Sequence, residues 1–155
     1  MEKARLGLAI IDAARGRLRG DRGTPPPVSA VVTPAELGEV FDLVDRVFLP
    51  DPVARYAARL VRATDRSAAS CPQSVRGLIR YPASPRAAIA LAEAGRAAAL
   101  LAGRPNVDFD DVHRLARPAL AHRLVLDHAA RLDGMTQAGV VARLLEAIPA
   151  LEDVG

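Results

Sequence analysis

Set against a period of 3.6 residues, the apolar positions divide the chain into helices separated by proline- and glycine-rich breaks. Residues 1–19 read as a first helix, with Leu6, Ile10, Ala13 and Ala14 on one stripe. Arg15, Arg17 and Arg19 sit near its C-terminal end, where cations complement the helix dipole, while Gly7 and Gly16 weaken it. Residues 20–30 contain Thr24-Pro25-Pro26-Pro27 and read as a linker stiffened by polyproline geometry. Thr33-Pro34-Ala35-Glu36 has the pattern of a capping box, and Leu37, Val40, Phe41, Val44 and Phe48 then recur at helical spacing until Leu49-Pro50 ends the run. Asp51-Pro52 restarts a helix whose inner face is Val53, Tyr56, Ala57, Leu60 and Val61, with Arg55, Arg59, Arg62 and Arg66 as a solvated row opposite.

From Asp65 to Ala83 no period is sustained, and the segment reads as a long loop that Val75, Leu78 and Ile79 pin to the core. Ser84 as N-cap and Pro85 at the first helical position open a central Ala- and Leu-rich helix carrying Ile89, Ala92, Arg96, Ala99 and Leu100, which Gly103 closes. Asp108 caps the next helix with Asp111 as its reciprocal partner, and Val112, Leu115 and Ala116 face inward until Pro118 interrupts or restarts it. A short helix around His122-Arg123 runs into an extended stretch. Thr136 caps a last helix with Val140, Val141, Leu144, Leu145 and Ile148 on its apolar side, and Pro149 stops it.

Composition sharpens this picture to an all-α fold. Half of the 155 residues are apolar, yet there are only three Phe, two Tyr and no Trp, so the core is built from Ala, Leu and Val, which suits close-packed helices. The net charge of +3 is small and dispersed, giving at most a weak pull on nucleic acid or acidic membranes. A single cysteine, Cys71, rules out an internal disulfide framework, and a reducing cytoplasm is the simplest location. No apolar run is long enough to insert into a membrane.

The chemistry-bearing motifs are notable chiefly for those that are missing. There is no GxxxxGK[ST] loop, no GxGxxG, no GxSxG elbow, and no HExxH or CxxC pair, so the chain has no nucleotide cradle of its own and no expected catalytic residue. His113, His122 and His128 lack the spacing that would stack two imidazoles on one helical face, and no metal site is expected. Asp110 and Asp111 belong to a helix start rather than to an acid–base pair, and Cys71 has no sequence neighbour to lower its pKa. One position stands out. Arg86 falls in the first turn of the central helix, where a cation opposes the dipole; a bound phosphate held by the guanidinium and the backbone N–H groups would relieve the conflict.

Several separated stretches resemble, in order and spacing, the C-terminal lid region of MoxR-type AAA+ ATPases. They are Val32-Thr33-Pro34-Ala35-Glu36-Leu37; Val53-Ala54-Arg55-Tyr56 through Leu60-Val61-Arg62-Ala63-Thr64; Ala83-Ser84-Pro85-Arg86-Ala87; Gly103-Arg104-Pro105-Asn106-Val107 with Asp110-Asp111-Val112; and Leu120-Ala121-His122-Arg123-Leu124. The likeness covers roughly residues 31–150. It implies a small helical lid bundle, preceded by the 1–19 helix as a remnant of the core or a new start. It also implies a sensor-2 arginine at Arg86, presented by Ser84 and Pro85 to the terminal phosphate of ATP with Mg2+. The partners it implies are a P-loop core, neighbouring subunits of a ring, and von Willebrand factor A domain proteins assembled or activated in a chaperone-like way. Two departures accompany it: Pro82 stands where the motif usually has glycine, and no Walker, sensor-1 or arginine-finger residue is identifiable, so the isolated chain is not expected to hydrolyse ATP. The competing expectations are a helix-turn-helix nucleic-acid module around Gly103, disfavoured by the dispersed charge, and an adaptor without nucleotide contact.

Overall fold

A computed structural model describes residues 32–151, and the predicted 1–19 helix and 20–30 linker lie outside the described residues. The chain divides into two units, residues 1–41 and 42–155.

In the described part of the first unit, Thr33 and Glu36 form the expected capping box. The Thr33 backbone N–H donates to Glu36 Oε2 at 2.7 Å, and the Glu36 N–H donates to Thr33 Oγ1 at 3.3 Å. These bonds draw the Glu36 carboxyl below its ordinary pKa. Helix α1 (Pro34–Asp45) follows and continues past the end of this unit at Phe41; Leu37, Val40, Phe41 and Leu43 are exposed, Phe41 at 61%, and Val44 is half-buried. It ends at Asp45 rather than at Leu49, because Val47 turns inward to join the core of the second unit.

The second unit is a helical bundle. Helix α2 (Asp51–Arg62) buries the five residues its periodicity singles out, Val53, Tyr56, Ala57, Leu60 and Val61. Arg59 departs from the expected solvated row: its Nη2 donates to the carbonyls of Pro149 and Ala150, both at 2.9 Å, tying the C-terminal segment to α2. The segment expected as one long loop holds helix α3 (Gln73–Arg76) and strand β1 (Ile79–Tyr81). Strand β1 pairs antiparallel with β2 (Val125–Leu126), Ile79 opposite Leu126. Val75 and Ile79 are buried as expected.

Helix α4 (Arg86–Leu101) is central, packing on α2 and on α5 (Phe109–Leu120). Its buried line is Ala87, Leu91, Gly95 and Ala99, one residue every helical turn, whereas Ile89 is 64% exposed. Of the residues the sequence singled out on this helix, Ala99 is buried and Leu100 packs on the core, while Ile89 points outward. Gly95 explains the choice, since a Cβ there would stand 2.8 Å from Val107 Cγ1, and only a glycine admits Val107 this close. Gly103, at φ +70°, closes α4 as expected, with Arg104 N donating to Ala99 O and Gly103 N to Leu100 O in a Schellman arrangement. Phe48 bonds the connection that follows, donating to Pro105 O and accepting from Val107 N, both at 2.9 Å.

Helix α5 runs through Pro118 rather than breaking at it. Proline so near the helix end forfeits a single bond, to the Arg114 carbonyl, on an exposed flank. A 3-10 turn over Ala121–Arg123 leads into β2, then come α6 (His128–Leu132), not foreseen, and α7 (Gln137–Ala147). Thr136 caps α7 through a 3.1 Å bond from Gly139 N. Val140, Val141 and Leu144 are buried against α5, whose inward residues are Val112, Ala116 and Leu120.

Candidate functional site

The turn that carries Arg86 is built from buried residues on either side of an exposed one. Ala83 and Ala87 are buried, while Ser84, Pro85 and Arg86 are exposed. The first helical bonds run from Ala87 N to Ser84 O at 2.8 Å and from Ala88 N to Pro85 O at 3.0 Å. Ser84 thus contributes its carbonyl. Contrary to the sequence reading, no side chain caps the helix. The first turn has no acidic residue, and among the described residues Arg86 makes no ion pair or hydrogen bond.

Beside this turn runs an open groove of about 950 Å³, lined among others by Ala58, Val61, Ala68, Ala83, Ser84 and Pro85. Its far lip is braced by Asp65, whose Oδ1 accepts from both the N–H and the hydroxyl of Ser67 at 2.9 and 2.7 Å; these bonds hold the Asp65 carboxyl below its ordinary pKa. Two of its lining residues, Val61 and Ala83, are tied together by Thr64, the buried residue just past α2. The Thr64 hydroxyl donates to Val61 O at 2.6 Å and accepts the Ala83 N–H at 3.1 Å. Sequence reasoning assigned Thr64 no role. The only hint was a polar residue where α2 ends.

A second polar cluster lies at the other end of α4. Asp111 is 1% exposed, and its carboxylate receives Arg104 bidentately at 2.7 and 2.8 Å, Arg114 Nη2 at 2.7 Å and the Asp108 N–H at 2.9 Å. The capping role was legible. The double arginine pairing was not. These donors, Arg104 foremost, outweigh the desolvation of the buried carboxyl and pull its pKa down to about 2.

Of the remaining candidates, Asp110 and His113 line the pocket beside Arg104 and Asp111, whereas Cys71 and His122 line neither place. Burial pushes the Cys71 thiol up, away from a reactive thiolate. His122 Nδ1 lies 3.0 Å from Pro118 O within one surface turn. Among the described residues no group of three or more His, Cys, Asp or Glu side chains is placed to hold a metal ion.

Residues 73–144 match the family model of the AAA lid domain, a span that contains Arg86, Arg104 and Asp111. Over 125 residues the chain is 29% identical to Chaperone MoxR1 of Mycobacterium tuberculosis, covering 81% of this chain and 33% of that protein. The chain carries an AAA lid domain of the MoxR type. The uncharacterized protein YeaC of Bacillus subtilis is 30% identical to the lid chain over 105 residues, 68% of this chain and 30% of that one. The chain therefore spans about a third of the length of the curated relatives it matches. A crystal structure from Cytophaga hutchinsonii that carries an ATPase assignment superposes with a TM-score of 0.75, covering 91% of this chain and 43% of that one. At 23% identity that likeness establishes the lid fold.

Within the lid, Ser84, Pro85 and Arg86 lie together at the start of α4. The helix pair around Gly103 places Asp108 and Asp110 at the head of its second helix, the wrong sign for a phosphate backbone, while Asp111 is buried and paired with Arg104 and Arg114. No helix among the described residues is long and apolar enough to cross a membrane.

Proposed function

We propose that this lid completes the nucleotide site of an AAA+ ATPase, with Arg86 as the sensor-2 arginine. The observation that carries the reading is the isolation of Arg86, an exposed cation at the head of a 16-residue helix whose first turn has no acidic side chain. That placement is mildly unfavourable until an anion arrives; Pro85 has no N–H and the Ala87 and Ala88 N–H groups already bond Ser84 O and Pro85 O, so the guanidinium is the main donor the turn offers. The fit is with half a site: one guanidinium and one helix start suit a terminal phosphate, and the cradle for the remaining phosphates and Mg2+ must come from a P-loop core.

ATP, when bound with Mg2+, supplies the anhydride that is cleaved. Arg86 offers two parallel N–H donors to phosphate oxygens, a geometry that both orients the group and favours charge developing on it. Ser84 and Pro85 form the rim between that guanidinium and the groove. In this reading none of the described side chains serves as acid, base or nucleophile. Because Arg86 belongs to the lid and the phosphate to the core, gain or loss of the phosphate changes how firmly lid and core hold each other. Neighbouring subunits of a ring would feel that change, and a chaperone-like action on partner proteins, von Willebrand factor A domain proteins among them, is the output this reading assigns.

The test is ATP turnover by the ATPase that carries this lid. Arg86→Ala should lower turnover roughly ten- to hundred-fold, the loss of one charge-assisted pair of hydrogen bonds. Lid stability should shift by less than about 0.5 kcal/mol, as for other exposed positions. Turnover equal to the unsubstituted protein would overturn the assignment.

A further inference from the structure

We infer that Thr64 is a positioning residue for Arg86, acting through the backbone of Ala83; the inference rests on the reading of Arg86 just given. Thr64 is fully buried at the end of α2, 19 residues before Ala83, and its hydroxyl is used twice, as donor to Val61 O and as acceptor of the Ala83 N–H. The first bond fixes the direction of the second. With its proton committed to a carbonyl at 2.6 Å, Oγ1 presents its lone pairs to Ala83, so the hydroxyl cannot rotate away.

Ala83 is the last buried residue before the exposed Ser84-Pro85-Arg86 turn, and the next buried one, Ala87, is already in α4. The turn is thus suspended between two fixed points. Both are packed in the core, and Ala83 is also held at its backbone by the Thr64 hydroxyl. Pro82 immediately precedes the tethered residue, so φ is fixed there and the approach to Ala83 has one soft torsion fewer. A proline at this position makes the tether more decisive, because the segment cannot swing to find another acceptor. No other bond from a side chain reaches the backbone of residues 82–86 among the described residues.

Thr64→Val keeps the shape and removes the hydroxyl, leaving the buried Ala83 N–H without an acceptor; Thr64→Ser keeps the hydroxyl. In the chain described here, Thr64→Val should speed hydrogen exchange at the Ala83 amide roughly ten-fold or more, and Thr64→Ser should leave it within about two-fold. In the ATPase that carries this lid, Thr64→Val should lower turnover at least about five-fold, Thr64→Ser should restore it, and Thr64→Val added to Arg86→Ala should cause no further loss. That last arm separates positioning from general damage, since a residue acting only through Arg86 has nothing left to act on. If Arg86→Ala itself changes nothing, the nucleotide reading fails first. If Arg86→Ala lowers turnover while Thr64→Val does not, or if the two losses multiply, the positioning role is overturned. Should Thr64→Val fail to fold, an unprotected Ala83 amide in the unsubstituted chain would overturn it equally.

Discussion

At the scale of the residue, Asp111 carries the largest electrostatic load in the lid. Its buried carboxylate is held by two guanidinium groups and a backbone N–H, and its pKa falls from 3.8 to about 2. In the unfolded chain the same group takes up its proton near the ordinary value, so as pH falls the unfolded state binds the proton first and stability drops. Its contribution is therefore fully present above about pH 4 and is lost on descending through about pH 2. The size is about 2–3 kcal/mol, from roughly 1.4 kcal/mol for each unit of the shift. Urea titrations of the chain and of Asp111→Asn should differ by about that amount at pH 6 and converge as pH approaches 2. A gap that stays constant across that range would show that the charge is not what stabilises the pair.

At the scale of the element, α4 is defined by how closely Gly95 lets Val107 approach. Alanine at 95 would gain about 1 kcal/mol in helix propensity, but its Cβ would meet a β-branched side chain that is buried and has little rotamer freedom, an overpacking cost of about 1–3 kcal/mol. Gly95→Ala should lower the stability of the lid by about 1 kcal/mol in chemical denaturation, and Val107→Ala in the same chain should cancel part of that loss. An unchanged midpoint for Gly95→Ala would mean that Val107 yields freely. The same helix shows where sequence reading loses its hold. Helix α2 was legible face by face because large apolar residues alternate with arginines around it. In α4 half of the 16 positions are Ala, so the apolar pattern does not mark one face; Ile89 points outward, and the real face is chosen by which small residues a neighbour can touch. Thr33 and Asp108 were legible because a capping box is closed within four residues. Strands of three and two residues, paired across the length of α4 and α5, leave no local period. The Thr64 tether and the Arg104–Asp111 pair were missed for the same reason: each joins residues separated by a turn or an element that only folding brings together.

At the scale of the molecule, the proposed nucleotide contact is one guanidinium, with no phosphate cradle among the described residues. Calorimetry of this chain with Mg-ATP should give no saturable heat below about millimolar concentration, since a single exposed ion pair is worth about 1 kcal/mol in water and a micromolar complex needs about 8. Micromolar binding would mean that the groove beside Ser84 is a nucleotide site in its own right.

The short sheet bears on this by way of chain entropy. Joining β1 to β2 closes a loop that contains both α4 and α5, which taken alone costs roughly 3 kcal/mol. Two or three ladder bonds at a net of about 1 kcal/mol each would only just match it. The margin comes from Ile79 and Leu126, which face each other across the pair and are both buried, together contributing about 3–6 kcal/mol. The segment that delivers Ala83 to Thr64 is thus moored by two aliphatic side chains rather than by its hydrogen bonds.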